Sequence, residues 1–147
     1  MEIAILALGC FWGPEIKFSK IEGVIKTEVG YCGGNSPNTT YKEVCTGKTN
    51  HAEVVKIDFD EKIITYEKIL KIFFQIHDPT TLNSQGPDFG TQYRSEIFYL
   101  NDNQRVVAER VLRDVDDRMS GKVVTKISLL KNYCPAEEYH QKYLEKR

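Results

Sequence analysis

The chain has 147 residues, of which 41% are hydrophobic and 28% are charged, and its formal net charge is -1. These values fit one folded domain over residues 1–147 and exclude a disordered chain. No apolar run is long enough for a membrane span, and the near-neutral charge gives no basis for binding nucleic acid. Because the start also lacks the basic region of a secretion signal, we expect a cytoplasmic protein with reduced thiols.

The predicted elements alternate between short strands and helices along the chain. Segments with apolar runs or period-two alternation predict strands at residues 3–8, 24–31, 53–59, 94–100 and 123–130. Segments with apolar residues at helical spacing predict helices at residues 12–21, 66–77, 102–120 and 136–145. Two long loops, at residues 33–50 and 78–92, separate some of these elements, and such loops in a compact domain are usually functional or mobile.

The first six elements follow a β-α-β-β-α-β order, which is typical of ferredoxin-like domains. The predicted fold class is therefore α+β, a two-layer α/β sandwich with that core plus an extra strand and helices. In the second strand, alternation predicts that Ile25, Thr27, Val29 and Tyr31 share the buried face.

Cys10 lies between the first predicted strand and the first predicted helix, in the sequence Gly-Cys-Phe-Trp-Gly. A thiol there would meet free backbone N–H groups and the positive end of a helix dipole, and both favour the reactive thiolate. The alternative is a small buried residue, since free cysteine is among the most buried types. The adjoining Phe11 and Trp12 predict either core packing or the wall of an apolar pocket for a small substrate group.

Glu53 shares its predicted strand face with Val55, Ile57 and Phe59, the face expected to be buried. Burial would raise the pKa of its carboxyl and allow it to donate a proton near neutral pH. The alternative is that the strand starts one residue later and that Glu53 belongs to the loop. The three histidines lack paired spacing and the four cysteines form no C-x-x-C pair, so no metal site is predicted.

These residues resemble the peptide methionine sulfoxide reductase A family. The similarity runs in order through nearly the whole chain, in blocks at residues 9–13, 29–31, 37–38, 40–47, 51–55, 77–80, 88–95 and 136–141. The resemblance implies a single catalytic domain with no bound cofactor that reduces methionine sulfoxide, free or in proteins. It also implies the S epimer, because two classes of reductase divide the two epimers between them.

The resemblance also assigns roles by position. Cys10 matches the nucleophile, which would end the reaction as a sulfenic acid, and Glu53 matches the acid that protonates the sulfoxide oxygen. Tyr41 and Tyr93 match the phenols that hydrogen-bond this oxygen. Asp88 matches a carboxylate that helps to order the site. Phe11 and Trp12 match the aromatic pocket for the methyl group of the substrate.

Many family members carry recycling cysteines in a tail beyond the Tyr-His-Gln block, and this sequence has none there. We therefore expect an external reductant, either thioredoxin or glutathione with glutaredoxin. Cys45 lies inside a family motif and is interpreted as structural. Cys32 and Cys134 are candidate resolving thiols: Cys32 falls on the strand face expected to be exposed, and Cys134 lies in a loop that could approach Cys10.

Two other functions compete with this interpretation. A thiol peroxidase would oxidise the same cysteine with peroxide and bind no methionine. A non-enzymatic module would use the Phe11 and Trp12 wall to hold methionine-rich or oxidised peptides. Comparing the reaction rates with peroxide and with methionine sulfoxide distinguishes a thiol peroxidase from a reductase. Burial of Cys10 with no access would favour the binding module.

Overall fold

The computed structural model describes residues 1–146. The strands are β1 (Glu2–Leu8), β2 (Val24–Cys32), β3 (Ala52–Phe59), β4 (Ser84–Gln85), β5 (Asp88–Phe89), β6 (Ser95–Tyr99), β7 (Lys126–Leu129) and β8 (Cys134–Pro135). The α-helices are α1 (Trp12–Ser19), α2 (Tyr41–Cys45), α3 (Tyr66–Gln75), α4 (Asp102–Arg118) and α5 (Tyr143–Lys146). Short 3-10 turns lie at Thr91–Tyr93 and Glu138–His140. None of the helices in this described part is long and apolar enough to cross a membrane.

The main sheet has six strands in the order β7-β6-β1-β3-β2-β8. Its four central strands, β6-β1-β3-β2, are antiparallel and have the order of a ferredoxin-like domain. Strand β7 adds to this core in parallel with β6, and the short β8 adds antiparallel to β2. The predicted α+β fold class is confirmed.

The two faces of the sheet carry different cores because successive side chains in a strand point to opposite sides. One face packs against α1, α3 and α4, and it includes Leu6 and Leu8 of β1 with Val55 and Ile57 of β3. The other face carries a smaller core, to which no long helix within residues 1–146 contributes; its buried members are Ile5, Ala7, Cys32, Ala52, Val54 and Phe98. This division decides which cysteines share a face with Cys10.

Three helices begin with the side-chain caps that their sequences favour. Thr65 accepts a hydrogen bond from the Lys68 N–H, and Asn101 accepts one from the Gln104 N–H, as expected for α3 and α4. Thr40 caps α2 in the same way, within a segment that sequence analysis predicts as a loop. The first long loop therefore contains a short helix that begins at Tyr41.

The predicted burial of Ile25 is wrong: its side chain is 56% exposed. The β2–β3 register shifts between Val24 and Lys26, so the alternation is offset at the start of the strand. Thr27, Val29 and Tyr31 are buried, as predicted.

The predicted helix over residues 136–145 is also wrong. The Gln141 side chain accepts a hydrogen bond from the Val29 N–H and donates one to the Val29 carbonyl, each at 2.9 Å. Ala136 donates to that same carbonyl at 3.0 Å, which keeps the chain extended along β2. Lys142 then has a φ of 53°, which no α-helix permits, so only the single turn of α5 follows.

Candidate active site

Cys10 lies in the tight turn that joins β1 to α1. Gly9 makes this turn with a φ of 97°, a conformation that favours glycine. A side chain at Gly9 would also meet the Gln85 side chain at 2.9 Å, so no larger residue fits. The thiol is therefore held partly buried at the end of a central strand.

Glu53 lies beside this turn because β3 is antiparallel to β1, so β3 begins where β1 ends. It is a strand residue opposite Tyr31, and the alternative that it belongs to the loop is wrong. The side chain is only 1% exposed. Its Oε1 accepts a hydrogen bond from the Phe11 N–H at 3.3 Å, and its Oε2 is buried without a partner.

The two loops bring two phenols to the same place. The Tyr41 and Tyr93 phenols interact electrostatically, and burial and, to a lesser extent, the charge of Glu53 raise the pKa of each. Asp88, in β5, interacts electrostatically with the Cys10 thiol, with the Glu53 carboxyl and with the Tyr93 phenol. The structure thus gathers all five polar residues singled out in the sequence.

Phe11 and Trp12 have different environments. Phe11 is 1% exposed and packs against Tyr31 and His140, with ring centroids 5.8 and 5.4 Å away. Trp12 is partly buried, and its indole Nε1–H donates to His140 Nδ1 at 3.1 Å. The indole also contacts the Tyr143 ring, with centroids 3.9 Å apart. Trp12 is therefore the more accessible of the two aromatic residues.

Sequence analysis missed two residues that shape the site. His140 is 2% exposed and fixes the Trp12 indole. Glu137 accepts hydrogen bonds from the Tyr31 hydroxyl at 2.8 Å and from the Tyr41 N–H at 2.9 Å, so it anchors the start of α2. Both belong to the block at residues 136–141, and its similarity to the reductase family was the available signal.

The expectation of a stabilised thiolate at Cys10 is wrong. Burial raises the pKa of the Cys10 thiol to about 11, although a hydrogen bond from the Trp12 backbone opposes the increase. The charges of Glu53 and Asp88 raise it further. The favourable effect of the helix start is therefore outweighed by the loss of solvent.

The pKa of the Glu53 carboxyl is raised, as predicted. Burial brings it to about 8, against the hydrogen bond from the Phe11 N–H, and Asp88 adds to the increase. Burial also raises the pKa of Tyr93 to about 12 and lifts that of Tyr41 well above its usual range. At neutral pH the site therefore holds a protonated carboxyl and two protonated phenols, all of them hydrogen-bond donors.

The raised pKa of Glu53 predicts a loss of stability as the pH rises. The folded carboxyl keeps its proton up to about pH 8, whereas the unfolded carboxyl loses it near its ordinary pKa of 4.5. The contribution of the protonated Glu53 carboxyl to folding stability is complete below pH 4.5 and is lost as the pH rises from 4.5 through 8. We expect the free energy of unfolding of wild type, measured with urea, to fall by roughly 2 to 4 kcal/mol relative to that of Glu53→Gln between pH 5 and pH 9. Equal pH dependence in the two proteins would contradict the raised pKa.

The other three cysteines occupy different surroundings, and none of the four forms a disulfide. The predicted exposure of Cys32 is wrong: it is fully buried in the smaller core, and its thiol donates to the Lys131 carbonyl at 3.2 Å. Cys134 lies opposite Tyr31 in β8, with its thiol 3.7 Å from the Thr39 carbonyl oxygen. Cys45 is exposed, and it interacts electrostatically with the Tyr41 phenol. Cys32 therefore lies on the opposite face of the sheet from Glu53.

Within residues 1–146, no group of three or more histidine, cysteine, aspartate or glutamate side chains is arranged to hold a metal ion.

Comparison with known proteins gives consistent matches over the chain. The family model described as peptide methionine sulfoxide reductase matches residues 2–147. A peptide methionine sulfoxide reductase MsrA from Pelagibacter ubique is 79% identical over 147 residues, all of both chains. Reduced Mxr1 from Saccharomyces cerevisiae superposes with a TM-score of 0.94 at 41% identity, covering 99% of this chain and 85% of that one. Mxr1 in complex with Trx2 matches at a TM-score of 0.69 and 26% identity, covering 97% and 84%.

The fold, the site and these matches define an oxidoreductase. The chain belongs to the peptide methionine sulfoxide reductase family, of the MsrA type. Its reaction is the reduction of methionine sulfoxide.

Proposed function

We propose that this chain reduces the S epimer of methionine sulfoxide, free or in proteins, through a sulfenic acid on Cys10. The observation that carries the proposal is the buried Glu53 carboxyl. It keeps its proton near neutral pH, and it accepts a hydrogen bond from the N–H of Phe11, the residue after Cys10. A sulfoxide sulfur becomes electrophilic when its oxygen is protonated or strongly hydrogen-bonded. The reaction therefore needs a nucleophile for the sulfur and a proton donor for the oxygen, and Cys10 and Glu53 are the residues proposed for these two roles.

The proposed step balances within the site. The Cys10 sulfur attacks the sulfoxide sulfur while Glu53 gives its proton to the oxygen. The oxygen passes to Cys10, which becomes a sulfenic acid, and methionine leaves. The proton of the Cys10 thiol returns to Glu53, so the carboxyl ends as it began. The site starts with both protons present, because burial raises the pKa of the Cys10 thiol and of the Glu53 carboxyl. The thiol proton becomes acidic enough to move to Glu53 only as the Cys10 sulfur bonds to the sulfoxide sulfur.

The phenols and the aromatic rings orient the substrate in this proposal. Tyr41 and Tyr93 stay protonated and donate to the oxygen as negative charge develops on it. Asp88 helps to keep the Glu53 proton in place by raising its pKa. The methyl group lies against the Trp12 indole, while the buried Phe11 ring packs on the His140 that fixes the indole, and the rest of the substrate points to solvent. Three different surroundings for oxygen, methyl and side chain distinguish one epimer from the other.

We further propose that an external thiol reduces the Cys10 sulfenic acid. Two observations support an external reductant: Cys32 lies on the opposite face of the sheet from Glu53, and the Cys134 thiol contacts the Thr39 carbonyl. The Trx2 complex of Mxr1 supports a thioredoxin as partner. Glutathione would form a mixed disulfide with Cys10 and release water, and glutaredoxin would then remove the glutathione.

Stereospecific turnover tests the function directly. The reduced protein is mixed with the separated S and R epimers of methionine sulfoxide, and methionine is quantified with each reductant in turn. We expect turnover of the S epimer alone and a much slower reaction with hydrogen peroxide, because a thiol with a pKa of about 11 is almost entirely protonated at neutral pH. Faster reaction with peroxide than with either epimer would favour the thiol peroxidase.

A cysteine series tests the recycling step. With glutathione and glutaredoxin, we expect Cys32→Ser, Cys45→Ser and Cys134→Ser each to keep more than about half of the wild-type turnover, because reduction by an external thiol requires no second cysteine. Mass spectrometry after one equivalent of substrate should show one added oxygen on Cys10 in every variant. A variant that stops after one turnover with all reductants would identify that cysteine as an internal resolving thiol.

A further inference from the structure

The residue that follows Tyr93 is a buried arginine. Arg94 is only 9% exposed, and it lies where the Thr91–Tyr93 turn passes into β6. It shares a strand face with Glu96 and Phe98, and Phe98 belongs to the smaller core. The guanidinium therefore lies behind the sheet, on the opposite side from the Glu53 carboxyl, and contacts none of the proposed reacting groups.

All three guanidinium nitrogens have directed partners. Nε donates to Glu96 Oε1 at 2.7 Å, Nη1 donates to the Thr91 carbonyl at 2.8 Å, and Nη2 donates to the Asn50 carbonyl at 3.0 Å. Glu96 balances the buried charge, and its second oxygen accepts a hydrogen bond from Ser128. Each guanidinium nitrogen thus has a hydrogen-bond partner, and a carboxylate balances the buried charge.

The two carbonyls belong to the ends of the two long loops. Thr91 begins the 3-10 turn that ends at Tyr93, and Asn50 lies three residues before Glu53. Asn50 has a φ of 59°, so the chain turns sharply there before it enters β3. One guanidinium therefore joins the backbone that carries the phenol to the backbone that carries the acid.

The close fit around this group restricts its position further. A side chain at Gly33 would meet the Phe98 ring at 2.8 Å and Arg94 Nη2 at 3.1 Å, so the start of the first loop packs directly on the guanidinium. A lysine ammonium is a point charge on a flexible stem and cannot reproduce three bonds in the plane of a guanidinium.

We propose that Arg94 is a positioning residue, which holds the Tyr93 phenol at the distance from the Glu53 carboxyl that the sulfoxide oxygen requires. The proposal rests on the function proposed above. Arg94 acts through Tyr93, so its contribution to the rate exists only while the phenol is present. A purely structural arginine would instead affect the rate independently of Tyr93.

A double-mutant cycle separates these two cases. The variants are Arg94→Lys, Tyr93→Phe and the combination, and the readout is the single-turnover rate of Cys10 oxidation by methionine-S-sulfoxide. We expect Arg94→Lys to lower this rate about tenfold with little change in KM, since small misplacements of catalytic groups affect the chemical step. In the Tyr93→Phe background, Arg94→Lys should lower the single-turnover rate by less than about twofold.

Equal losses in the two backgrounds would overturn the proposal. Arg105→Lys is the matched control, because Arg105 is also ion-paired, with Asp102 and Glu109, but lies on the surface of α4. If Arg94→Lys does not fold, Glu96→Gln weakens the same contacts and completes the cycle with the same two outcomes. The wild-type rate identifies a different failure: a wild type that does not reduce the sulfoxide contradicts the function itself, whereas an active wild type with additive losses contradicts only the role of Arg94.

Discussion

Replacing Cys10 by serine is expected to lower the single-turnover rate of methionine sulfoxide reduction by about 10⁴-fold or more, as is typical when an enzyme loses its nucleophile. A serine hydroxyl in the same turn is a far weaker nucleophile, and a sulfenic acid could no longer form. The fold should persist, because the thiol is only partly buried and the substitution preserves its size. Intact mass after a stoichiometric pulse of substrate should show the added oxygen in wild type alone.

The matched control is Cys134→Ser, which changes another partly buried thiol. Because a single turnover needs no recycling, this variant should oxidise Cys10 at the wild-type rate. Comparable single-turnover rates in wild type and Cys10→Ser would refute the assignment of the nucleophile. Transfer of oxygen to Cys134 or to Cys45 before Cys10 would refute it equally.

Replacing Glu53 by glutamine is expected to lower the single-turnover rate by about 10²- to 10³-fold, the usual contribution of one positioned proton donor. Glutamine keeps the shape of the side chain and can still accept the hydrogen bond from the Phe11 N–H. It has no acidic proton to transfer, so the sulfoxide oxygen would be stabilised only by the phenols. Substrate affinity should change little, because the proton is transferred only during the reaction.

Glu109→Gln is the matched control for this change, since Glu109 is an exposed carboxylate on α4 paired with Arg105. We expect that variant to retain the wild-type rate within about twofold, as is usual for surface substitutions. A loss below tenfold in Glu53→Gln would show that the phenols alone supply the stabilisation. A rise in KM with an unchanged rate constant would make Glu53 a binding residue instead.

The local sequence was enough to predict most of the fold. Alternation in β3 and helical spacing in α3 and α4 identify elements that the structure contains, because each element buries one face against the same core. The cap residues Thr65 and Asn101 mark helix starts for a local reason, since a side-chain oxygen bonds an N–H two or three residues on.

The errors arise where distant contacts override a local pattern. The apolar spacing of residues 136–145 favours a helix, but the Gln141 side chain bonds the edge of β2, more than a hundred residues away. The helix dipole favours a thiolate at Cys10, but burial by the surrounding elements raises the pKa of the thiol. Neither effect is visible in a window of neighbouring residues.

The sequence by itself determined the ferredoxin-like order of the elements and the residue types of the site, because periodicity, caps and motif blocks are local properties. Only the tertiary structure decided that Glu53 belongs to a strand, that the sheet face carrying Cys32 is buried, and that Arg94 joins the two loops. The physical reason is that burial and hydrogen-bond partners depend on which strands and loops meet in space. A carboxyl, a thiol and a guanidinium acquire their properties from those neighbours.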